Sequence, residues 1–190
     1  MLEIEVKRPV ADFGTVEKRL TEWGAKPEAP RREADHYYNA PDRDFAQTDE
    51  ALRLRRSGPH NCLTYKGPKI DAQTKTRTEI EVSLVDGDTA AADLCRLLEH
   101  LGYRPVAVVR KERVGYHCTR QGFDVHVTLD TVADVGRFVE AEIMAEEERL
   151  TEAREVLLRL IADLGLHTTE RRSYLEMLLE KKHEDRDERG

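Results

Sequence analysis

The chain has 190 residues, 39% of them hydrophobic and 36% charged, with a formal charge of −7. That length suits one domain with a sizeable core, and the acidic balance argues against a nucleic-acid partner unless basic groups converge on one place. No apolar run approaches the ~20 residues of a membrane-spanning helix, and charges begin at Glu3, so no membrane partner is expected. Cys62, Cys95 and Cys118 form no C-x-x-C pair and read as reduced thiols, which makes the cytoplasm the expected compartment.

Residues 1–8 alternate strictly, with Leu2, Ile4 and Val6 opposite Glu3, Glu5 and Lys7, which predicts a strand. Phe13, Val16, Leu20 and Trp23 recur at helical spacing over 13–23, and Gly24 ends the run. Residues 33–39 read as a second strand before the turn at Pro41-Asp42, and 50–56 alternate again up to Ser57-Gly58-Pro59. Strands over 62–66 and 76–84 flank a long, lysine-rich segment, 68–76, that reads as a mobile loop; Lys69 and Lys75 in it read either as phosphate contacts or, by preference, as solvated charge. A helix over 89–101 presents Leu94, Leu97, Leu98 and Leu101 on one face. Residues 106–118 and 122–130 form a hairpin around Arg120-Gln121-Gly122, and 137–144 adds another strand. A helix over 151–164 takes Thr151 as its cap and Leu157, Leu160, Ile161 and Leu164 as its apolar stripe, and a shorter helix covers 171–180. Residues 181–190 read as a charged, disordered tail, which leaves 1–180 as a single domain.

Strand parity then sorts the charges. Glu3, Glu5 and Lys7 share a face, as do Arg53 and Arg55; Lys66 follows, then Arg77, Glu79 and Glu81 share a parity. Lys111 and Arg113 share another, Asp130 lies opposite Val125, Val127 and Leu129, and Glu140 and Glu142 lie opposite Val139, Ala141 and Ile143. One reading is a solvated outer face with casual ion pairs. Repetition of the same parity along six strands favours the other: an antiparallel, eight-stranded β-barrel of α+β class, with amphipathic helices packed outside and a charged lumen. Desolvating so many ions costs several kcal/mol each. A ligand set of both signs would offset that cost, with divalent cations on the carboxylates and a polyphosphate on the Arg and Lys forks.

These residues resemble a known family. Glu3-Ile4-Glu5-Val6-Lys7 is similar to the E-x-E-x-K opening of CYTH proteins, the triphosphate tunnel metalloenzymes. Leu52-Arg53-Leu54-Arg55, Lys66-Gly67-Pro68, Arg77-x-Glu79, Lys111-x-Arg113, Asp130 and Phe138-Val139-Glu140-x-Glu142 follow in the family's order, over about residues 1–180. Asp35-His36-Tyr37-Tyr38, Leu101-Gly102-Tyr103, the run Lys111–Tyr116 and Ser173-Tyr174 most resemble class IV adenylyl cyclases. The resemblance implies an eight-stranded tunnel, a possible homodimer and two Mg²⁺ or Mn²⁺ ions held by Glu3, Glu5, Glu140 and Glu142 with Asp130. It implies phosphate binding by Lys7, Arg53, Arg55, Lys66, Arg77, Lys111 and Arg113. Lys111, Arg113 and Asp130 would be the catalytic group.

The reaction so implied converts ATP to cyclic AMP and pyrophosphate, with Lys111 and Arg113 near the α-phosphate. Hydrolysis of tripolyphosphate or thiamine triphosphate in the same tunnel is an alternative, and a non-catalytic nucleotide or polyphosphate sensor is a further one. The histidines, among them His36, His117 and His126, read as structural, with no ligand partner at metal spacing. No Ser/His/Asp order, H-E-x-x-H, Walker A or Rossmann fingerprint is present.

Overall fold

The computed structural model describes residues 2–69 and 77–187. Its strands are β1 (Leu2–Val10), β2 (Lys26–Pro27), β3 (Arg31–Asn39), β4 (Ala51–Ser57), β5 (His60–Lys66), β6 (Glu79–Ser83), β7 (Arg104–Arg120), β8 (Phe123–Val132) and β9 (Gly136–Ala145). Its helices are α1 (Gly14–Glu22), α2 (Phe45–Thr48), α3 (Asp88–His100), α4 (Leu150–Asp163) and α5 (Tyr174–Asp187). None of the described helices is long and apolar enough to cross a membrane.

Eight strands pair antiparallel in the order β1-β9-β8-β7-β3-β4-β5-β6, and the short β2 pairs with β7. The sheet curls until its two edges meet at an isolated antiparallel bridge between Glu3 and Arg77. The seam of the tunnel, among the described residues, is that one bridge. The hairpin between β7 and β8 turns at Gln121 and Gly122, whose φ values of 49° and 77° place both in the left-handed region that a two-residue turn demands. Glycine meets that demand at position 122 without steric cost.

The apolar parity of β1, β8 and β9 faces outward and is covered. Ile4, Val6, Val125, Val127, Val139, Ala141 and Ile143 pack against Val16 and Leu20 of α1 and Leu157, Leu160 and Ile161 of α4. A second cluster joins Leu52 and Leu54 of β4 to Phe45 and to Ala91 and Leu98 of α3. A third sets α5 apart. Tyr174, Met177 and Leu178 pack on Val109, Val132 and Phe138, which share strand parity with Lys111, Asp130 and Glu140. Helix α5 therefore packs on the lumen side and blocks one end of the tunnel.

Several expectations change. Of the expected α3 stripe Leu98 is buried and Leu94 packs beside it, but Leu97 and Leu101 are exposed and Ala91 is buried, because the face meeting β4 is rotated from the leucine-rich one. Ile80 and Val82, the apolar side of β6, are 55% and 49% exposed and belong to none of the core clusters of the described residues. Thr151 does not cap α4: a 3₁₀ turn over Glu147–Arg149 leads into the helix, and Arg149 holds the cap position without a side-chain bond. Helix α5 runs to Asp187, through most of the charged segment expected to be a tail; Glu, Lys and Arg are good helix formers, and the helix is already nucleated on the tunnel floor. Residues 70–76, with Lys75, lie outside the described residues.

Candidate active site

Alternation along the curled strands sends one charged row from each into a common cavity of about 580 Å³, within the range of roughly 300–1,000 Å³ usual for small-molecule sites. Glu3, Glu5, Lys7, Arg53, Arg55, Lys66, Arg77, Lys111, Arg113, Glu140 and Glu142 all line it, together with Glu79 and Glu81. Asp130 is the exception. It is wholly buried behind Arg113.

The floor is built where β7, β8, β9 and α5 meet. Arg113 Nε donates to Asp130 Oδ1 at 2.6 Å, and Arg113 Nη2 donates to Glu140 Oε2 at 2.7 Å. Tyr174 Oη donates to Asp130 Oδ2 at 2.9 Å. Lys7 Nζ lies 3.3 Å from Glu140 Oε1 and 3.7 Å from the centroid of the Tyr174 ring, close enough for a cation–π contact. Burial alone would drive the Arg113 guanidinium down, but Asp130 and Glu140 hold its pKa well above the ordinary value.

The wall comes from β3 and β4. Asp35 and Arg55 form a bidentate pair at 2.7 and 2.9 Å, and Arg53 and Lys111 approach the same carboxylate at 3.7 and 3.5 Å. Glu33 lies 3.2 Å from Arg55 and 3.3 Å from Lys111. Burial would raise the Glu33 carboxyl, yet Arg55, Lys111 and Arg113 bring it down to about 2. The Lys111 ammonium is pushed below its ordinary value by burial and by Arg113 and Arg55, against the pull of Asp35.

The seam is acidic. Lys66 Nζ reaches Glu79 at 2.5 Å and Glu3 at 3.2 Å. Burial raises the Glu3 carboxyl to about 8 against the opposing charge of Lys66, and neighbouring Glu5 and Glu79 push the same way. In the cavity lining, Arg53 Nε and Arg77 Nε are buried with no hydrogen-bond partner among the described residues. Orphaned donors of that kind in a cavity wall suit an anionic ligand.

The far end corrects the reading of the histidines. His126 and His117 are cross-strand partners on β8 and β7, their rings are stacked 4.4 Å apart, and both meet Glu28. His126 Nδ1 lies 3.1 Å from Glu142 Oε1. Lys69, read as solvated, pairs with Asp49 at 2.5 Å on the cavity rim.

Three further residues, Glu33, Asp35 and Tyr174, line or support the site without being among its expected residues, although Asp35 and Tyr174 lie in segments that carry the family resemblance. Glu33 and Asp35 share strand parity with Tyr37, and the alternation test applied to β3 would have found them. Tyr174 arrives from a helix, so its place over Lys7 has no signal in any strand pattern.

Comparison with known proteins gives the same picture. A family model described as the CYTH domain matches residues 1–174. The chain belongs to the CYTH family. It is 35% identical over 182 residues to "Putative adenylate cyclase MJ0240" of Methanocaldococcus jannaschii, covering 93% of this chain and 98% of that protein. It is 33% identical over 148 residues to "Adenylate cyclase CyaB" of Aeromonas hydrophila, covering 75% of this chain and 70% of that one. Among solved structures, the PH1819 protein of Pyrococcus horikoshii OT3 is 41% identical with a TM-score of 0.82, over 94% of this chain and 99% of the other. The CYTH match spans the whole tunnel, from the Glu3-x-Glu5-x-Lys7 strand to Tyr174 on its floor.

Proposed function

We propose that this CYTH protein is a metal-dependent adenylyl cyclase, converting ATP to cyclic AMP and pyrophosphate. The observation that carries the reading is one cavity lined by both signs of charge, with the Nε atoms of Arg53 and Arg77 buried and unpartnered in its wall. The names of two relatives at 35% and 33% identity support the choice of cyclisation over hydrolysis.

The residues fit divalent metal. Glu3, Glu5, Glu140 and Glu142 offer hard oxygen donors on the adjacent strands β1 and β9, with Glu5 paired opposite Glu142. Glu3 is held near neutral below about pH 8 by burial and carboxylate neighbours, a proton that a cation would replace. Mg²⁺ or Mn²⁺ there would neutralise phosphate charge and make the ribose 3′-hydroxyl more acidic.

The chain's own groups do the rest. Lys7, Arg53, Arg55, Lys66 and Arg77 hold the triphosphate. The 3′-hydroxyl gives up its proton to water, and its oxygen forms a bond to the α-phosphorus as the bond from that phosphorus to the bridging oxygen breaks, the electron pair leaving with pyrophosphate. Lys111 and Arg113 face the charge that develops on the α-phosphoryl and bridging oxygens. Asp130, too deep to meet substrate, acts by fixing the plane of the Arg113 guanidinium, and Tyr174 fixes Asp130 in turn.

Glu140→Gln keeps the shape of the side chain but removes the charge from a group that pairs with Lys7 and Arg113. The expected outcome is a folded protein whose metal-dependent turnover of ATP drops by at least about tenfold. Circular dichroism checks the fold, and turnover across a Mg²⁺ titration checks the effect. Wild-type turnover in the variant would remove Glu140 from the metal set.

A further inference from the structure

The far end of the tunnel holds a group of side chains that cyclisation does not use. Glu28 follows β2, His117 lies on β7 and His126 on β8, and one ligand atom from each falls within 4.8 Å of the others. His117 Nε2 is 2.6 Å from Glu28 Oε1, and His126 Nε2 is 3.9 Å from the same oxygen. His126 Nε2 is buried with no hydrogen-bond partner among the described residues. The three atoms face a common point.

What surrounds them has the form of a metal site's outer layer. His126 Nδ1 meets Glu142 Oε1 at 3.1 Å, and a carboxylate on the remote ring nitrogen fixes the tautomer that leaves Nε2 with a free lone pair. Glu28 Oε2 is held by the Arg31 guanidinium, which turns Oε1 toward the histidines. In that tautomer two lone-pair atoms, His126 Nε2 and Glu28 Oε1, face one another, an arrangement that a cation between them would stabilise.

Position 115 is glycine for a related reason. Its backbone carbonyl accepts from Glu28 N at 2.8 Å, tying the segment after β2 to β7. A Cβ at Gly115 would fall on Glu28 Oε2 and 2.8 Å from His126 Nε2. Only a residue without a side chain leaves this space open.

We propose that Glu28, His117 and His126 form a second metal site, separate from the tunnel glutamates, that binds a transition ion of the Zn²⁺ type. Two imidazoles and one carboxylate are a donor set that Zn²⁺ uses when a fourth position stays open to water or a ligand. Imidazole donors suit Zn²⁺, Co²⁺ or Ni²⁺ and are poor for Mg²⁺, so the two sites sort their ions by chemistry. One hydrogen bond, from His126 to Glu142, separates them. Drawing the three atoms around one ion takes small shifts of Glu28 toward His126 and of His117, whose side chain is 64% exposed, away from Glu28.

The test is calorimetric titration of the full chain with Zn²⁺ in excess Mg²⁺, with Co²⁺ absorption to read the ligands. The wild type is expected to bind a single Zn²⁺ that Mg²⁺ does not displace, and Co²⁺ should give a spectrum of nitrogen and oxygen ligation. His117→Ala, at an exposed position that should not impair folding, is expected to weaken Zn²⁺ roughly tenfold or more, and Gly115→Ala should do likewise by filling the space. Displacement of Zn²⁺ by Mg²⁺, wild-type affinity in His117→Ala, or a thiolate-to-cobalt band from Cys62, Cys95 or Cys118 would each overturn the site.

Discussion

Asp35→Ala is expected to destabilise the ligand-free protein by about 3–5 kcal/mol, the usual cost of stripping one partner from a buried ion cluster. Asp35 is buried on β3 and is the shared counter-ion of three cations: Arg55 at 2.7 Å, Lys111 at 3.5 Å and Arg53 at 3.7 Å. Those three also repel one another. After the substitution Glu33 remains near Arg55 and Lys111, and Glu79 and Glu81 remain 3.9 and 3.7 Å from Arg53, but the bidentate partner of Arg55 is gone. Urea unfolding measures the loss. Tripolyphosphate should then raise the variant's Tm by more than it raises the wild type's, because the anion supplies the missing charge. A loss below about 1 kcal/mol would mean that the wall cations are neutralised in some other way.

Lys111→Ala is expected to lower kcat by roughly 100- to 1,000-fold, the scale seen when a preorganised charge is removed from a developing anion. Lys111 Nζ sits 5.4 Å from the Tyr174 ring centroid and lines the cavity beside Arg113. Its carboxylate partners keep other cations: Asp35 retains Arg55 and Arg53, and Glu33 retains Arg55 and Arg31. The variant should therefore stay folded. Because Lys7, Arg53, Arg55, Lys66 and Arg77 would still hold the triphosphate in the proposed arrangement, KM should change much less than kcat. Steady-state kinetics separate the two. A raised KM with kcat unchanged would make Lys111 an ordinary phosphate contact.

The tunnel was legible because the chemistry of its strands has period two. In β1 the alternation of Glu3, Glu5 and Lys7 with Ile4 and Val6 puts ions and hydrocarbon on opposite faces, and no helix can satisfy such a pattern. The hairpin at Gln121-Gly122 and the α4 stripe were legible for equally local reasons. Glu33 and Asp35 carry the same alternating signal, in phase with Tyr37 on one face of β3. The site at Glu28, His117 and His126 was of another kind. Glu28 lies 89 positions from His117, and only the register that sets His117 opposite His126, together with the pairing of β2 with β7, brings them together. No spacing along the chain encodes that convergence. Helix α5 was misjudged for length because its charged end has no apolar period, and its packing on the lumen side depends on contacts with Val109, Val132 and Phe138 that no local pattern contains.

The most direct test of cyclase chemistry in this tunnel is the identity of the first products formed from ATP with Mg²⁺ or Mn²⁺. Attack by the 3′-oxygen on the α-phosphorus leaves the β- and γ-phosphates joined, so chromatography of early time points should find cyclic AMP and pyrophosphate in equal amounts, with no orthophosphate. ADP with orthophosphate as the first products, or inert ATP beside rapid cleavage of tripolyphosphate, would contradict cyclisation and make the chain a triphosphatase on the same scaffold.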